Sequence, residues 1–210
     1  MGLITLLFRD PIAFLLLAVP LLYSVIAHEV AHGWVAYFFG DDTAKSSGRL
    51  SLNPALHLDL IGTIALFIVG FGWAKPVPVN YGRLKNFRLG LIFVSLAGCM
   101  TNIFIATAAI FLLRLHAAAA RPFIATVLLT VAKINIVLGA FNLIPIPPLD
   151  GSKILMGFLP SEGQRSLARL EPYGFPILLI LIFTGFLDPM IIFVQRLILG
   201  FISMLIGASG

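Results

Sequence analysis

The sequence predicts an all-α polytopic membrane protein with a three-helix core and accessory helices. A small re-entrant or strand-bearing region is expected between the first two core helices. Three observations carry this prediction. Hydrophobic residues make up 60% of the 210 and charged residues only 11%, roughly half the charge of a soluble domain. Apolar runs of membrane length recur along the chain. Basic residues gather in particular loops, as juxtamembrane charges do. With a mean hydropathy of +1.05, the chain is neither disordered nor a coiled coil. Despite a pI near 9.7, it is no soluble nucleic-acid binder, and no nucleic-acid partner is expected. Its solvent is the lipid bilayer.

The elements follow in order within one integral-membrane domain, residues 1–210. The amino terminus lacks a short apolar run ending in a small-residue cleavage site, so no removed signal peptide is expected. The first core helix is residues 11–39, with Asp10 as N-cap, Pro11 at the helix start, and Gly40-Asp41-Asp42 at its end. Pro20 is placed to kink it. Residues 41–88 form the re-entrant or strand region. Within it, 60–73 is apolar but would reach only roughly 21 Å as a helix, short of the hydrocarbon core. Residues 43–52 and 74–81, with Thr43, Val77 and Val79, read as short strands. Their edge would be able to hold an unwound peptide. The second core helix is 89–113, between Arg88 and Arg114. The third is 122–141, stopped by Pro145-Ile146-Pro147-Pro148. Residues 176–206 carry C-terminal helices, either two short ones or one bent span broken at Asp188-Pro189.

Charge placement orients these spans. Lys45, Arg49, Lys75, Arg83, Lys85 and Arg88 lie in one loop, and Lys153, Arg165 and Arg169 in another. The positive-inside rule puts both in the cytoplasm. That orientation holds if 60–73 does not cross the membrane; a full crossing would place 41–57 outside.

Inside the first span stands His28-Glu29-Val30-Ala31-His32, an HExxH motif. Histidines at i and i+4 share one helical face and can bind one Zn²⁺ per chain. The glutamate beside them is suited to act as general base on the attacking water. Three ionisable groups in one apolar helix are costly in lipid and mark function. The alternative, a polar cluster satisfied by neighbouring helices, meets no evident packing need.

A catalytic zinc site requires a third protein ligand and an open position. The candidates include His57, His116, Asp59, Asp150 and Asp188. His116 is expected in the opposite loop and Asp188 in a distal turn. Asp150, in Pro147-Pro148-Leu149-Asp150-Gly151, reads equally as ligand or as turn residue. His57 is better explained by a loop hydrogen bond than by the metal. Lys133, mid-span, calls for a wet cavity or a carboxylate partner, or else for a helix register other than the one assigned. Cys99 reads as a small buried hydrophobe.

These motifs resemble the site-2 protease family of intramembrane zinc metalloproteases, in its short members without a PDZ domain. The resemblance rests on His28-Glu29-Val30-Ala31-His32, on Ala97-Gly98-Cys99-Met100-Thr101-Asn102, and on Phe141-Asn142-Leu143-Ile144-Pro145 through Asp150-Gly151, in that order. Gly48 to His57 and Trp73 to Asn80 are also similar. The resemblance implies zinc ligands His28, His32 and Asp150, with Glu29 activating water and Asn142 holding substrate or the developing oxyanion. It implies cleavage in or near a transmembrane helix of a membrane-protein substrate, sometimes after an upstream protease has trimmed it. It also implies a bacterial or archaeal cell membrane, with the active site toward the cytoplasm. The family's middle motif usually carries Pro where Cys99 stands, which restores a backbone donor. Asn102 is either a cross-helix hydrogen bond or a catalytic part. The rivals are a metal-binding transporter and a catalytically inactive substrate-binding relative. A transporter would line a path with ionisable groups, whereas the core spans hold few beyond HExxH and Lys133, and an intact Glu29 argues against the inactive relative.

Overall fold

The computed structural model describes residues 3–70, 72–115 and 121–207, which form a helical bundle; His116 and the Ala117–Ala120 tract lie outside them. The helices are α1 (Leu3–Arg9), α2 (Pro11–Phe38), α3 (Thr43–Ser46), α4 (Leu60–Val69), α5 (Phe87–Leu113), α6 (Pro122–Asn142), α7 (Asp150–Phe158), α8 (Ser161–Phe183) and α9 (Asp188–Leu205). Five of them, α2, α5, α6, α8 and α9, are long and apolar enough to cross a membrane, and the chain is an integral multi-pass membrane protein. Large hydrophobic side chains such as Phe104, Phe123 and Phe183 face outward, as lipid contact requires.

Local chemistry sets the helix starts. Asp10 accepts the Ala13 N–H at 2.9 Å ahead of Pro11, and Asn86 accepts the Leu89 N–H at 3.2 Å at the head of α5. In each case a side-chain oxygen satisfies an otherwise orphaned backbone donor. α5 runs unbroken through Cys99, which keeps the donor that a proline there would remove.

The core is three antiparallel helices. Lys85 N–H donates to the Phe39 carbonyl at 2.9 Å, tying the end of α2 to the start of α5. α5 packs against both α2 and α6, which also touch each other, and α9 packs on α5 and α6 through a cluster of Ile103, Ala106, Ile136, Ala140, Ile198 and Ile202.

The region between α2 and α5 differs from the strands expected there. Among the described residues it holds only an isolated antiparallel bridge, Leu58 with Ala74. Thr43 turns into one helical turn because Asp41 takes both its N–H and its hydroxyl, an Asx-type turn. On residues 74–79, Pro76 and Pro78 alternate with Val77 and Val79 and remove the donors a ladder would need. These residues run as an irregular strap.

The apolar stretch at 60–73 is a short helix and a return. α4 spans ten residues, capped by Asp59 through the Gly62 N–H at 2.8 Å, and ends at Gly70 with φ of +84°. The chain then doubles back so closely that a Cβ on Gly62 would lie 2.2 Å from the Trp73 carbonyl oxygen. Because Leu58 and Ala74 pair, the segment enters and leaves at one level, as a re-entrant segment does.

The C-terminal region consists of two helices, and the first begins well before Pro176. α8 starts at Ser161 and carries Pro172 and Pro176 internally. The break falls at Thr184–Leu187, where Gly185 takes φ of +70°. Polar Glu162, Arg165 and Arg169 on its first turns hid this start from a reading by hydropathy.

Candidate metal centre

Residues on α2 and α7 converge at the cluster. His28 and His32 lie one turn apart on the inward face of α2, both buried, with ring centroids 4.7 Å apart. Their Nε2 atoms lie 3.0 Å and 3.2 Å from Oδ2 of Asp150. One ligand atom from each of the three lies within 4.8 Å of the others. Tetrahedral zinc with bonds of about 2.0–2.1 Å sets its ligands about 3.3 Å apart, close to the two histidine–Asp150 separations. Two imidazoles and a carboxylate suit Zn²⁺ and leave its fourth position free. The residues fit the metal.

Asp150 is at once turn residue and cluster member. The Ile144–Leu149 turn, whose Pro147–Pro148 bond is cis, ends as α7 starts at Asp150. A Cβ on Gly151 would lie 2.3 Å from the Leu143 carbonyl oxygen, so glycine is what lets α7 seat against the end of α6. Burial alone would raise the Asp150 carboxyl, but His32 and His28 outweigh it and hold the group well below the usual carboxylate range.

α5 approaches this pair closely. A Cβ on Gly98 would meet His28 Cε1 at 2.5 Å and His32 Nε2 at 2.6 Å. The second imidazole nitrogens point away from the cluster to fixed acceptors, His32 Nδ1 to the Val94 carbonyl at 2.6 Å and His28 Nδ1 to Asn102 Oδ1 at 2.7 Å. Acceptors of this kind orient metal-binding imidazoles.

Glu29 sits half-buried beside the histidines, and its Oε2 accepts the Val77 N–H of the strap at 2.9 Å. The strap is itself pinned. Arg49 donates to the Lys75 and Pro76 carbonyls at 2.8 and 3.2 Å, and Asp41 accepts the Asn80 N–H at 2.6 Å. Lys75 N–H reaches the His57 carbonyl at 2.8 Å. Between strap and helices lies a cavity of about 300 Å³, room for about ten waters. Glu29, Val77, Tyr81, Asn142 and Lys153 line it together with the three-residue cluster.

Asn142 is in the cavity wall, with one amide N–H spent on the Leu138 carbonyl at 3.0 Å. Lys153 lies with its ammonium 5.3 Å from the centre of the Tyr81 ring. Burial pushes Lys153 down, yet Tyr81, Asp150 and Glu171 together hold it above its ordinary value.

Other candidates fall elsewhere. His57 is fully buried in its loop, with Nε2 bonded to the Ser51 carbonyl at 2.7 Å, away from the cluster. Asp59 caps α4 and Asp188 heads α9. Lys133 is exposed on the flank of α6 and faces no cavity among those described. Sequence reasoning missed Ser24, Asn135, Tyr81 and Lys153. Asn135 carried a signal, being a polar residue in an apolar span two turns before Asn142 and therefore on its face. Tyr81 carried none, since only the fold brings the strap back over α2.

Comparison with known proteins finds relatives described as zinc metalloproteases. The model of a family described as Peptidase family M50 matches residues 114–185, which include Asn142 and Asp150. The "Putative zinc metalloprotease YwhC" of Bacillus subtilis is 42% identical over 175 residues, 80% of this chain and 80% of the relative. The "Putative zinc metalloprotease Rip2" of Mycolicibacterium smegmatis is 31% identical over 183 residues, 83% of this chain and 69% of the relative. Rip2 of Mycobacterium tuberculosis H37Rv is 32% identical over 181 residues, 80% of this chain and 66% of the relative. No solved structure matches the chain.

Proposed function

The chain belongs to peptidase family M50, the site-2 protease family of zinc metalloproteases, and on that premise we propose that it is an intramembrane endopeptidase. Its cofactor is zinc. The single observation that carries the reading is the His28, His32 and Asp150 cluster, spaced as tetrahedral ligands and opening on a cavity that also holds Glu29. His28, His32 and Asp150 are the proposed ligands.

Bound zinc supplies a Lewis acid that polarises the scissile carbonyl and lowers the pKa of water. The chain's own residues do the rest. Glu29 takes the proton of the attacking water on the carboxylate oxygen not engaged by the Val77 N–H, then delivers it to the leaving amide nitrogen. The strap bond at 2.9 Å keeps that carboxylate aimed across the cavity. Asn142 offers its remaining amide N–H to substrate or to the developing oxyanion. The strap walls the cavity and gives an unwound substrate a surface to lie on. A transmembrane substrate must unwind first, because a helix keeps its carbonyls in hydrogen bonds.

The substrate class is thus a transmembrane segment of a membrane protein, opened locally and in some cases trimmed first by another protease. The site faces the cytoplasmic side of a bacterial or archaeal cell membrane, in keeping with Lys45, Arg49, Arg83, Lys85 and Arg88 around the junction of α2 and α5. His32 lies six residues before the end of α2, about 9 Å inside the helix end.

The test is reconstitution into liposomes with a model single-span substrate and mass analysis of the products. Wild type should cut within or next to the span, and Glu29→Gln should not. Cleavage confined to water-soluble peptides, with the span untouched, would refute the intramembrane assignment.

A further inference from the structure

The mechanism uses the face of His28 that looks into the cavity, and leaves unexplained a buried polar cluster on its other side. Ser24, Asn102 and Asn135 stand on α2, α5 and α6, and none is more than 4% exposed. Amides and hydroxyls at such depth must have their hydrogen-bonding groups met. Here they are met in one direction only. The Val131 carbonyl can only accept, so the Asn135 group 2.9 Å from it is Nδ2, which also reaches Ser24 Oγ at 2.8 Å. Asn135 Oδ1 therefore faces Asn102 and accepts from its Nδ2 at 2.8 Å. That amino group also lies 3.4 Å from the Ser24 carbonyl. Asn102 Oδ1 is left facing His28 Nδ1 at 2.7 Å. An acceptor there calls for the proton on Nδ1, which frees the lone pair of Nε2 for the cluster. His32 gets the same result from a single backbone carbonyl.

We infer that Asn135, supported by Ser24, is a positioning residue of the metal centre: acting through Asn102, it holds His28 in the Nδ1–H tautomer that binds metal through Nε2. Without Asn135, only the longer 3.4 Å contact to the Ser24 carbonyl would keep the amino end of Asn102 from turning toward the imidazole and favouring the opposite tautomer. With Asn135 in place, that flip would set two amide oxygens face to face, and the relay forbids it. The inference rests on the proposed reading of His28 as a ligand.

The experiment measures zinc affinity of the full chain in detergent by chelator competition, together with the visible spectrum of the Co²⁺-loaded protein. Asn135→Leu should lower zinc affinity about 10- to 100-fold and alter the cobalt bands. The Asn102→Leu/Asn135→Leu double variant should be no weaker than Asn102→Leu alone, because the two act in series. Asn135→Asp should bind zinc like wild type, since a neutral carboxyl keeps both the acceptor toward Asn102 and a donor toward Val131. A purely structural Asn135 would shift thermal stability and leave the affinity and cobalt bands of the folded protein alone. Where leucine prevents folding, Asn135→Ala is measured instead with the same expectation. Wild-type affinity in the folded apolar variant, or additive losses in the double variant, would overturn the inference. Full zinc affinity in His28→Ala would instead overturn the ligand reading beneath it.

Discussion

Gly98→Ala should empty the metal centre although it adds one methyl to a residue that binds nothing. The added Cβ would lie 2.5 Å from His28 Cε1 and 2.6 Å from both His28 Nε2 and His32 Nε2, where ordinary contact begins at 3.4 Å. α5 or the two imidazoles must therefore yield by about 0.9 Å, several times the roughly 0.2 Å within which metal–ligand distances hold. His32 cannot swing freely, because its Nδ1 is held to the Val94 carbonyl on that same helix. The expected loss of zinc affinity is at least about 100-fold, or about 2.8 kcal/mol. Zinc per chain by elemental analysis reads the effect, and a thermal melt of the metal-free protein separates it from unfolding. Gly139→Ala is the control. It faces the same helix from α6, but its nearest neighbours are 3.7 Å from a built Cβ. It should keep full zinc and gain about 0.5–1 kcal/mol of helix stability. If Gly98→Ala held zinc like wild type, the close approach of α5 to the histidine pair would be wrong.

Further predictions follow from the same geometry. Glu29→Gln should keep zinc and lose at least about 100-fold in kcat on a single-span substrate, read by product formation in liposomes. Arg49→Met frees the strap carbonyls and leaves every proposed ligand in place; it should lower kcat/KM with zinc content unchanged. Gly62→Ala forces apart α4 and its return, where a Cβ would lie 2.2 Å from the Trp73 carbonyl oxygen. It should cost about 1–3 kcal/mol, seen as a lower Tm with zinc still bound. Chelation should abolish cleavage, and one equivalent of Zn²⁺ should restore it.

How far the sequence disclosed this protein depended on how local each determinant was. The spacing of His28 and His32 and the apolar runs are properties of one helix, so the motif and the membrane class were legible. Asp150 was half legible, because Asp-Gly also marks a turn and only the packing of α7 on α5 brings that turn residue to the two histidines. The strap was misjudged as strand. Val77 and Val79 argue for β structure by propensity, but Pro76 and Pro78 remove the donors, and the bonds that hold the strap come from Arg49, Asp41 and Glu29, all distant in sequence. The start of α8 was missed because its first turns are polar and hydropathy sees only the span that follows. The Ser24, Asn102 and Asn135 cluster needs three helices brought together, and no single-segment pattern encodes it.

Two histidines and one aspartate are the proposed zinc ligands, with a fourth position left open. Zinc X-ray absorption of the purified full chain, beside Asp150→Ala, tests that directly. Wild type should show one zinc bound by two imidazole nitrogens and two oxygens at about 2.0–2.1 Å, the second oxygen from solvent. Asp150→Ala should lose most of its zinc. A third imidazole in the wild-type shell, a shell closed by four protein ligands, or full zinc in Asp150→Ala would contradict the account.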